Sequence, residues 1–330
     1  VVAAWTNLHA SFFLAPLIAL LYALAHWARP LIWDVDRAAE HARARWFLLA
    51  ALVSAAATLV NPYGWQLHRH VAAYLGDSEL LGRIGEFQSF NFHAEGALQI
   101  LLTVAVAMAG GVAALAQKRL AHFLMAALLT AAALRSARGL PLVALLVLPI
   151  AGGAITSALE TARVRWPLRL RFDAFLAYSR RLRAIDNGLG GWVWAVVAIG
   201  LAGVWLSVPA VAARTGFPPD QFPVAAAGRV AALPDGARLL APDKFGGYLI
   251  YRFAGRRKVF FDGRSDLYGS EFMKQYARLM QVRPGWREQL DAYRFTHALL
   301  PNDYSLIPAL ESLGWTPLYR DSVATLLEKP

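Results

Sequence analysis

The sequence predicts an α-helical transmembrane bundle of about six helices followed by a water-soluble α/β domain, and three observations carry that prediction. Of the 330 residues, 57% are hydrophobic and only 17% charged, which is more apolar surface than one soluble core can bury. The apolar residues are also concentrated. Positions 1–215 hold long Ala/Leu/Val runs, whereas 216–330 read as an ordinary mixed domain. Finally, most Arg residues of the first part lie in short stretches between apolar runs, the arrangement that sets membrane topology. That distribution turns the net charge of +11 away from a nucleic-acid footprint, so no nucleic-acid partner is expected and membrane lipid is. The absence of cysteine excludes disulfides, thiolate catalysis and Cys-ligated zinc.

Six apolar stretches approach or reach the roughly 17 to 25 residues that span a hydrocarbon core: 10–28, 46–61, 97–116, 120–134, 140–158 and 191–213. The second and fourth are short. Trp46 and Tyr63 are placed to anchor the second in the interfaces. Lys and Arg alternate sharply between the connecting segments. Segments 29–45, 117–119 and 159–190 carry thirteen, whereas 62–96 and 135–139 carry only Arg69, Arg83, Arg135 and Arg138. The positive-inside rule puts the first set in the cytoplasm. Six crossings then leave Val1 and the C-terminal domain both outside it. The chain opens on apolar residues with no basic leader and no small-residue cleavage site, and is read as the C-terminal part of a longer protein.

The segment 62–96 begins with Asn61-Pro62-Tyr63-Gly64, a helix stop and turn, and continues as a partly amphipathic piece from Trp65 to Leu81. That piece suits the membrane interface, with His68, Arg69 and His70 toward headgroups; plain solvation of a connector is the alternative. Beyond Phe217 the pattern predicts helices near 221–233, 245–252, 270–281, 285–292 and 304–313. Strands are expected at 237–241, 258–262 and 297–300, with a closing hairpin of 316–320 and 323–328. Strands separated by helices argue for a largely parallel sheet with an antiparallel edge.

Several motifs resemble those of uncharacterised bacterial multi-pass membrane proteins grouped with the GT-C glycosyltransferases, enzymes that use polyprenyl-phosphate-linked sugars. They are Trp5-Thr6-Asn7-Leu8-His9, Asn61-Pro62-Tyr63-Gly64, Glu86-Phe87-Gln88-Ser89, Gly246-Gly247-Tyr248-Leu249 and the run Val259 to Tyr268 with its core Asp262-Gly263-Arg264-Ser265-Asp266. The last two, followed by Trp286, Leu290 and Tyr293, are the most specific. Ala10 and Phe90 depart from the residues usual in such proteins. The resemblance implies a GT-C-like fold in the bacterial inner membrane with a periplasmic or extracellular C-terminal domain. It also implies a polyprenyl-phosphate-linked sugar as substrate and a principal catalytic carboxylate upstream of Val1.

Such a transfer needs a carboxylate to deprotonate the acceptor or hold a metal, cations to offset the departing phosphate, and an apolar groove for the lipid tail. Glu86, on an outer loop, is the catalytic candidate; the alternative is a solvated side chain paired with Arg83. Arg135 and Arg138 break the positive-inside trend where a phosphate needs partners, with headgroup snorkelling as the alternative. Asn7, His9 and Tyr63 lie at the outer helix ends as further substrate-binding candidates, or form an interhelical polar contact. Asp262, Arg264, Asp266 and Tyr268 are expected to share a rim after a strand, or simply to brace a loop. No cofactor is called for, and a divalent metal stays open. A non-catalytic scaffold or lipid-glycan binding protein of the same fold is the rival reading, and a secondary transporter a weaker third.

Overall fold

The computed structural model of the chain describes residues 1–162, 169–212 and 216–330. The protein is mostly helical, with one small sheet near the C-terminus, and divides into two compact units, Val1–Arg180 and Arg181–Pro330. Of the basic residues used for topology, Arg163 and Arg165 lie outside the described residues, as does the end of the predicted stretch 191–213.

In the first unit α1 (Val2–Leu8) leads through a 3-10 turn, Ala10–Phe13, into α2 (Leu14–Ile32). A tight connection follows, because the Asp36 carboxylate accepts from the backbone N–H of Ala38 (2.9 Å) and Ala39 (3.1 Å) and so starts α3 (Arg37–Ala57). Helices α4 (Trp65–Gly76) and α5 (Ser78–Leu81) fill the long connector, and α6 (Ala97–Ala116) and α7 (Leu120–Arg135) form a second hairpin. The chain returns through α8 (Leu140–Leu142), a π-helical turn at Val143–Val147 and α9 (Leu148–Thr161).

The packing inverts that of a soluble bundle. Small residues face inward: Ala107, Gly110, Gly111 and Ala114 of α6 meet Ala126 of α7 and Ala151 and Ala154 of α9. Large ones face out, among them Leu52, Leu98 and Val112. A Cβ on Gly110 would come within 2.2 Å of the Ala151 Cβ, so the two backbones approach as only glycine permits. Where the surroundings are as apolar as the side chains, close approach of helices replaces burial of large residues as the source of cohesion.

Among the described residues three stretches are long and apolar enough to cross a membrane, Ala10–Ile32, Ala97–Ala116 and Ala137–Thr161, or four if the bent pair Arg169–Gly188 and Gly191–Ser207 is one span, against the six expected. The physical reasons differ by helix. Helix α3 has 21 residues, but its first half carries Arg37, Glu40, Arg43 and Arg45. Helix α7 is apolar and a turn short at 16 residues. The basic helix α10 (Arg169–Leu189) ends at Gly190 (φ 66°) before α11 (Gly191–Ser207), which is apolar on every side but only 17 residues long.

The second unit continues through α12 (Pro209–Ala212) and α13 (Ala227–Ala231) into a four-stranded sheet of order β1-β2-β4-β3. Its strands are β1 (Leu239–Leu240), β2 (His297–Pro301), β3 (Thr316–Arg320) and β4 (Ala324–Glu328). Helices α15 (Ser265–Met280), α16 (Trp286–Tyr293) and α17 (Leu306–Glu311) pack one face of the sheet with Phe261, Trp315 and Leu300. Helix α14 (Asp243–Phe253) and α13 pack the other with Leu299 and Leu326. Alternating residues of β2 thus feed two cores, as the pleat requires.

The sheet is mostly antiparallel, which corrects the largely parallel expectation: only β1 and β2 run parallel, over two residue pairs. The hairpin inserts β4 beside β2 and leaves β3 as the exposed edge. Segment 258–262 is not a strand. Phe260 and Phe261, neighbours in sequence, pack on the same core, whereas successive residues of a pleated strand point to opposite faces. The predicted helix 221–233 shrinks to α13.

Candidate functional site

The two connectors poor in Lys and Arg meet at one end of the first unit. Asp77 caps α5 by accepting from Leu80 N–H (2.9 Å), and the Gln88 amide donates to Leu81 O (2.8 Å), which folds the segment back on itself. Two hydrogen bonds then join it to the turn after α7: Ala137 N–H donates to Gln88 O (2.9 Å) and the Ser136 hydroxyl to Glu86 O (3.2 Å). Gly139 lies against Ala133, where a Cβ would come within 2.6 Å of its Cα, so the turn is pressed onto the helix end.

This framework puts Glu86 Oε1 3.5 Å from Arg138 Nη1, and lays the Arg138 guanidinium over the Phe87 ring at 4.7 Å. The pairing with Arg83 is not formed, since Arg83 meets Glu79 at 3.2 Å. Both Glu86 (57%) and Arg138 (43%) are substantially exposed, so their attraction is worth only about 0–1 kcal/mol and opens readily to a third group. Arg135, one residue before the Ser136 that bonds Glu86 O, is exposed and makes no ion pair among the described residues. The cluster therefore presents one carboxylate weakly paired with the Arg138 guanidinium, and a second arginine, Arg135, stands three residues earlier at the end of α7.

The other candidates at helix ends are engaged locally. The Asn7 amide donates to Ala3 O and Val60 O (both 2.7 Å), which ties α1 to the end of α3. His9 Nδ1 accepts from Ser11 N–H (3.1 Å) and starts the 3-10 turn. Tyr63 is exposed, and its N–H donates to Asn61 Oδ1 (2.8 Å) in an Asx turn. Next to them a hollow of about 370 Å³ is lined by Phe12, Pro16, Leu59, Trp65 and His68. The His68 ring stacks on Trp65 and reaches Thr58 Oγ1 at 2.7 Å. Helix α4 links this hollow to the charged cluster, with Trp65 at its start and Tyr74 near its end, edge-on to Phe87 at 5.8 Å.

In the second unit, Asp262, Arg264 and Tyr268 are brought together as a closed knot. The buried Asp262 carboxylate accepts from Arg264 Nε (2.8 Å), Nη2 (2.7 Å) and backbone N–H (3.1 Å), and from the Tyr268 hydroxyl (3.0 Å). The Arg264 hydrogen bonds hold the carboxyl below its ordinary range despite burial. Asp266 is exposed in the first turn of α15 and is not among these hydrogen-bond donors and acceptors. This is the bracing arrangement rather than the open rim: with its acceptor positions filled, Asp262 has little left for a ligand.

A polar cluster that the sequence reading missed lies at the opposite end of the helices. Glu40 is buried and receives His26 Nδ1 (2.7 Å), Arg29 Nη1 (2.6 Å) and Arg43 Nη1 (2.7 Å). The three donors offset the cost of burying that carboxylate. The signal was present as spacing: His26 and Arg29 stand three apart on α2, and Glu40 and Arg43 three apart on α3. A hollow of about 690 Å³ nearby between α2 and α3 is apolar except for His41 and Arg45.

Comparison with protein-family models, with curated proteins and with solved structures finds no match to this chain. Among the described residues no group of three or more His, Asp and Glu is placed to hold a metal ion.

Proposed function

We propose that the protein is a membrane glycosyltransferase that moves a sugar from a polyprenyl-phosphate carrier to an extracytoplasmic acceptor, with Glu86, Arg138 and Arg135 at its reacting centre. The observation that supports this reading is the meeting of the two connectors. Two hydrogen bonds join the segment that carries a solvent-accessible carboxylate to the turn that carries the guanidinium it meets, with Arg135 three residues before Arg138 in the chain.

In this reading Glu86 takes the proton of an acceptor hydroxyl, and the freed oxygen pair attacks the anomeric carbon from the face opposite the phosphate. The bond from that carbon to the phosphate oxygen breaks, its electron pair leaves with the polyprenyl phosphate, and the configuration inverts. The phosphate gains one negative charge in that step. Arg138, released from its weak pairing, and Arg135 offset it through charge-assisted hydrogen bonds. The apolar hollow under Trp65 offers the lipid tail a place at the other end of α4.

The test is turnover of labelled polyprenyl-phosphate sugars by the purified protein in lipid nanodiscs. Glu86→Gln preserves shape at an exposed site and should cut turnover about 100-fold or more while leaving lipid-sugar binding intact. Arg138→Ala should weaken both. Binding without any turnover, unchanged by Glu86→Gln, would instead favour the non-catalytic lipid-glycan binding protein.

A further inference from the structure

Helix α11 has no buried residue, and Trp192, Ile199, Leu201, Val204 and Trp205 are all more than half exposed around its circumference. A helix that is apolar on every side belongs in an apolar solvent. At a rise of about 1.5 Å per residue, its 17 residues cover about 25 Å, with Trp192 and Trp194 at one end and Trp205 at the other. Tryptophans so placed mark headgroup levels. The Trp205 end therefore lies at a bilayer surface.

Only a short tether follows. From Ser207 through the single turn of α12 to Phe217, covalent geometry allows at most about 30 Å whatever path the chain takes. Phe217 itself opens an aromatic patch, its ring 5.0 Å from Phe222 and 5.1 Å from both Tyr248 and Tyr251. Tyr248 is buried beneath the patch, whereas Tyr251 is 72% exposed at its crest, with Val224 also exposed nearby in the sequence.

Positive charge surrounds this crest. Lys244, Arg252 and Arg256 are exposed on α14 and just past its end, and Arg252 is close enough for its charge to act on the Tyr248 hydroxyl. Of the acidic groups, Asp243 accepts from the Tyr276 hydroxyl (3.2 Å), and Asp220 is exposed in the segment between Phe217 and Phe222. The orientation of α14 is fixed from behind. Its Phe245, Leu249 and Phe253 are buried on the sheet, and Gly246 touches the Phe261 carbonyl so closely that no Cβ would fit.

We infer that this face of α14, with Tyr251 at its centre and Lys244 and Arg252 around it, is a bilayer-docking surface that settles on anionic headgroups beside the Trp205 end of α11. The aromatic ring takes the interfacial level and the cations meet lipid phosphate, the combination that interfacial anchors use. The inference does not depend on the glycosyltransferase reading.

The chain has no cysteine, so Tyr251→Cys gives a unique spin-label site on an exposed position, and Ser312→Cys, beyond α17 on the opposite layer, gives its control. The purified protein would be placed in phosphatidylcholine vesicles with and without phosphatidylglycerol. The ratio of oxygen to water-soluble nickel-chelate accessibility should be several-fold higher at position 251 than at 312, and should rise with phosphatidylglycerol. Equal ratios at the two positions would overturn the proposal. So would a position 251 label screened from both reagents in vesicles and detergent alike, because protein would then cover the face. A high ratio at 251 that ignores phosphatidylglycerol would overturn the part assigned to Lys244 and Arg252.

Discussion

At the scale of single residues, the same residue types do different work according to how fully their neighbours satisfy them. Asp262 and Glu86 are both carboxylates facing arginine. Asp262 is buried with four donors, whereas Glu86 is exposed with one distant partner, so the first is structural and the second free to react. Asp262→Asn should therefore destabilise the protein without touching turnover. Arg264 is 63% exposed and its charge is screened, so the remaining hydrogen bonds set the loss at about 1–2 kcal/mol. Because the folded carboxyl is held below its unfolded value, the wild-type advantage should be complete above about pH 4 and vanish as pH falls through the lowered folded value. Thermal melts of both proteins between pH 7 and acid measure it; a gap that persists in acid would contradict the assignment. The sequence showed the Asp262-Gly263-Arg264 turn but could not show that Tyr268, a turn into α15, closes the knot. For Glu86 it offered Arg83, a near neighbour in sequence, where the fold supplies Arg138 from another connector. Contacts of that range are set by helix packing, which no local pattern encodes.

At the scale of elements, helix positions were more legible than helix roles. The runs 97–116 and 120–134 emerge within a residue of α6 and α7, because an uninterrupted apolar run between polar turns has few other ways to fold. Segment 258–262 misled because three apolar or buried residues in a row look like a strand when alternation is not demanded of them. The small-residue seam of α6 was not recognised either, since Ala and Gly score as apolar filler until a facing helix is known. That seam carries a prediction. Gly110→Leu would drive a side chain into the Ala151 backbone, and overpacking of this kind costs about 1–3 kcal/mol. Gly152→Leu, whose Cβ would meet nothing within 4 Å, is the matched control. Melting in detergent followed by size exclusion should show the first variant losing its folded peak at a lower temperature and the second unchanged; equal melting would remove the seam as the source of cohesion between α6 and α9.

At the scale of the whole molecule, the difference between three apolar spans and six expected crossings turns on which connectors share an end. The Asn7 to Val60 bond brings the finish of α3 back to the start of the Ala10–Ile32 span, while His26 and Arg29 meet Glu40 at its other end. Helix α3 is thus as long a traverse as α2, although its first half is charged. Helix α7 likewise starts near Ala25 of α2 and finishes where Ala137 meets Gln88. If the long apolar helices cross a bilayer, α3 and α7 must cross with them. Their charged or short ends then lie at the interface, where Arg43 and Arg45 can reach headgroups. On the positive-inside count, the expectation to test is an Arg37 end in the cytoplasm and a Glu86 end outside. In the cysteine-free chain, Arg37→Cys and Glu95→Cys, both exposed, probe the two ends, and Lys329→Cys probes the C-terminal domain. A membrane-impermeant maleimide added to intact cells should label Glu95→Cys and Lys329→Cys and should reach Arg37→Cys only after lysis. Labelling of Arg37→Cys in intact cells would invert the bundle and place the Glu86 cluster where no extracytoplasmic acceptor can reach it. Labelling of Glu95→Cys with Lys329→Cys protected would mean that α11 does not cross. The tryptophans of α11 would then not mark the two headgroup levels of a crossing.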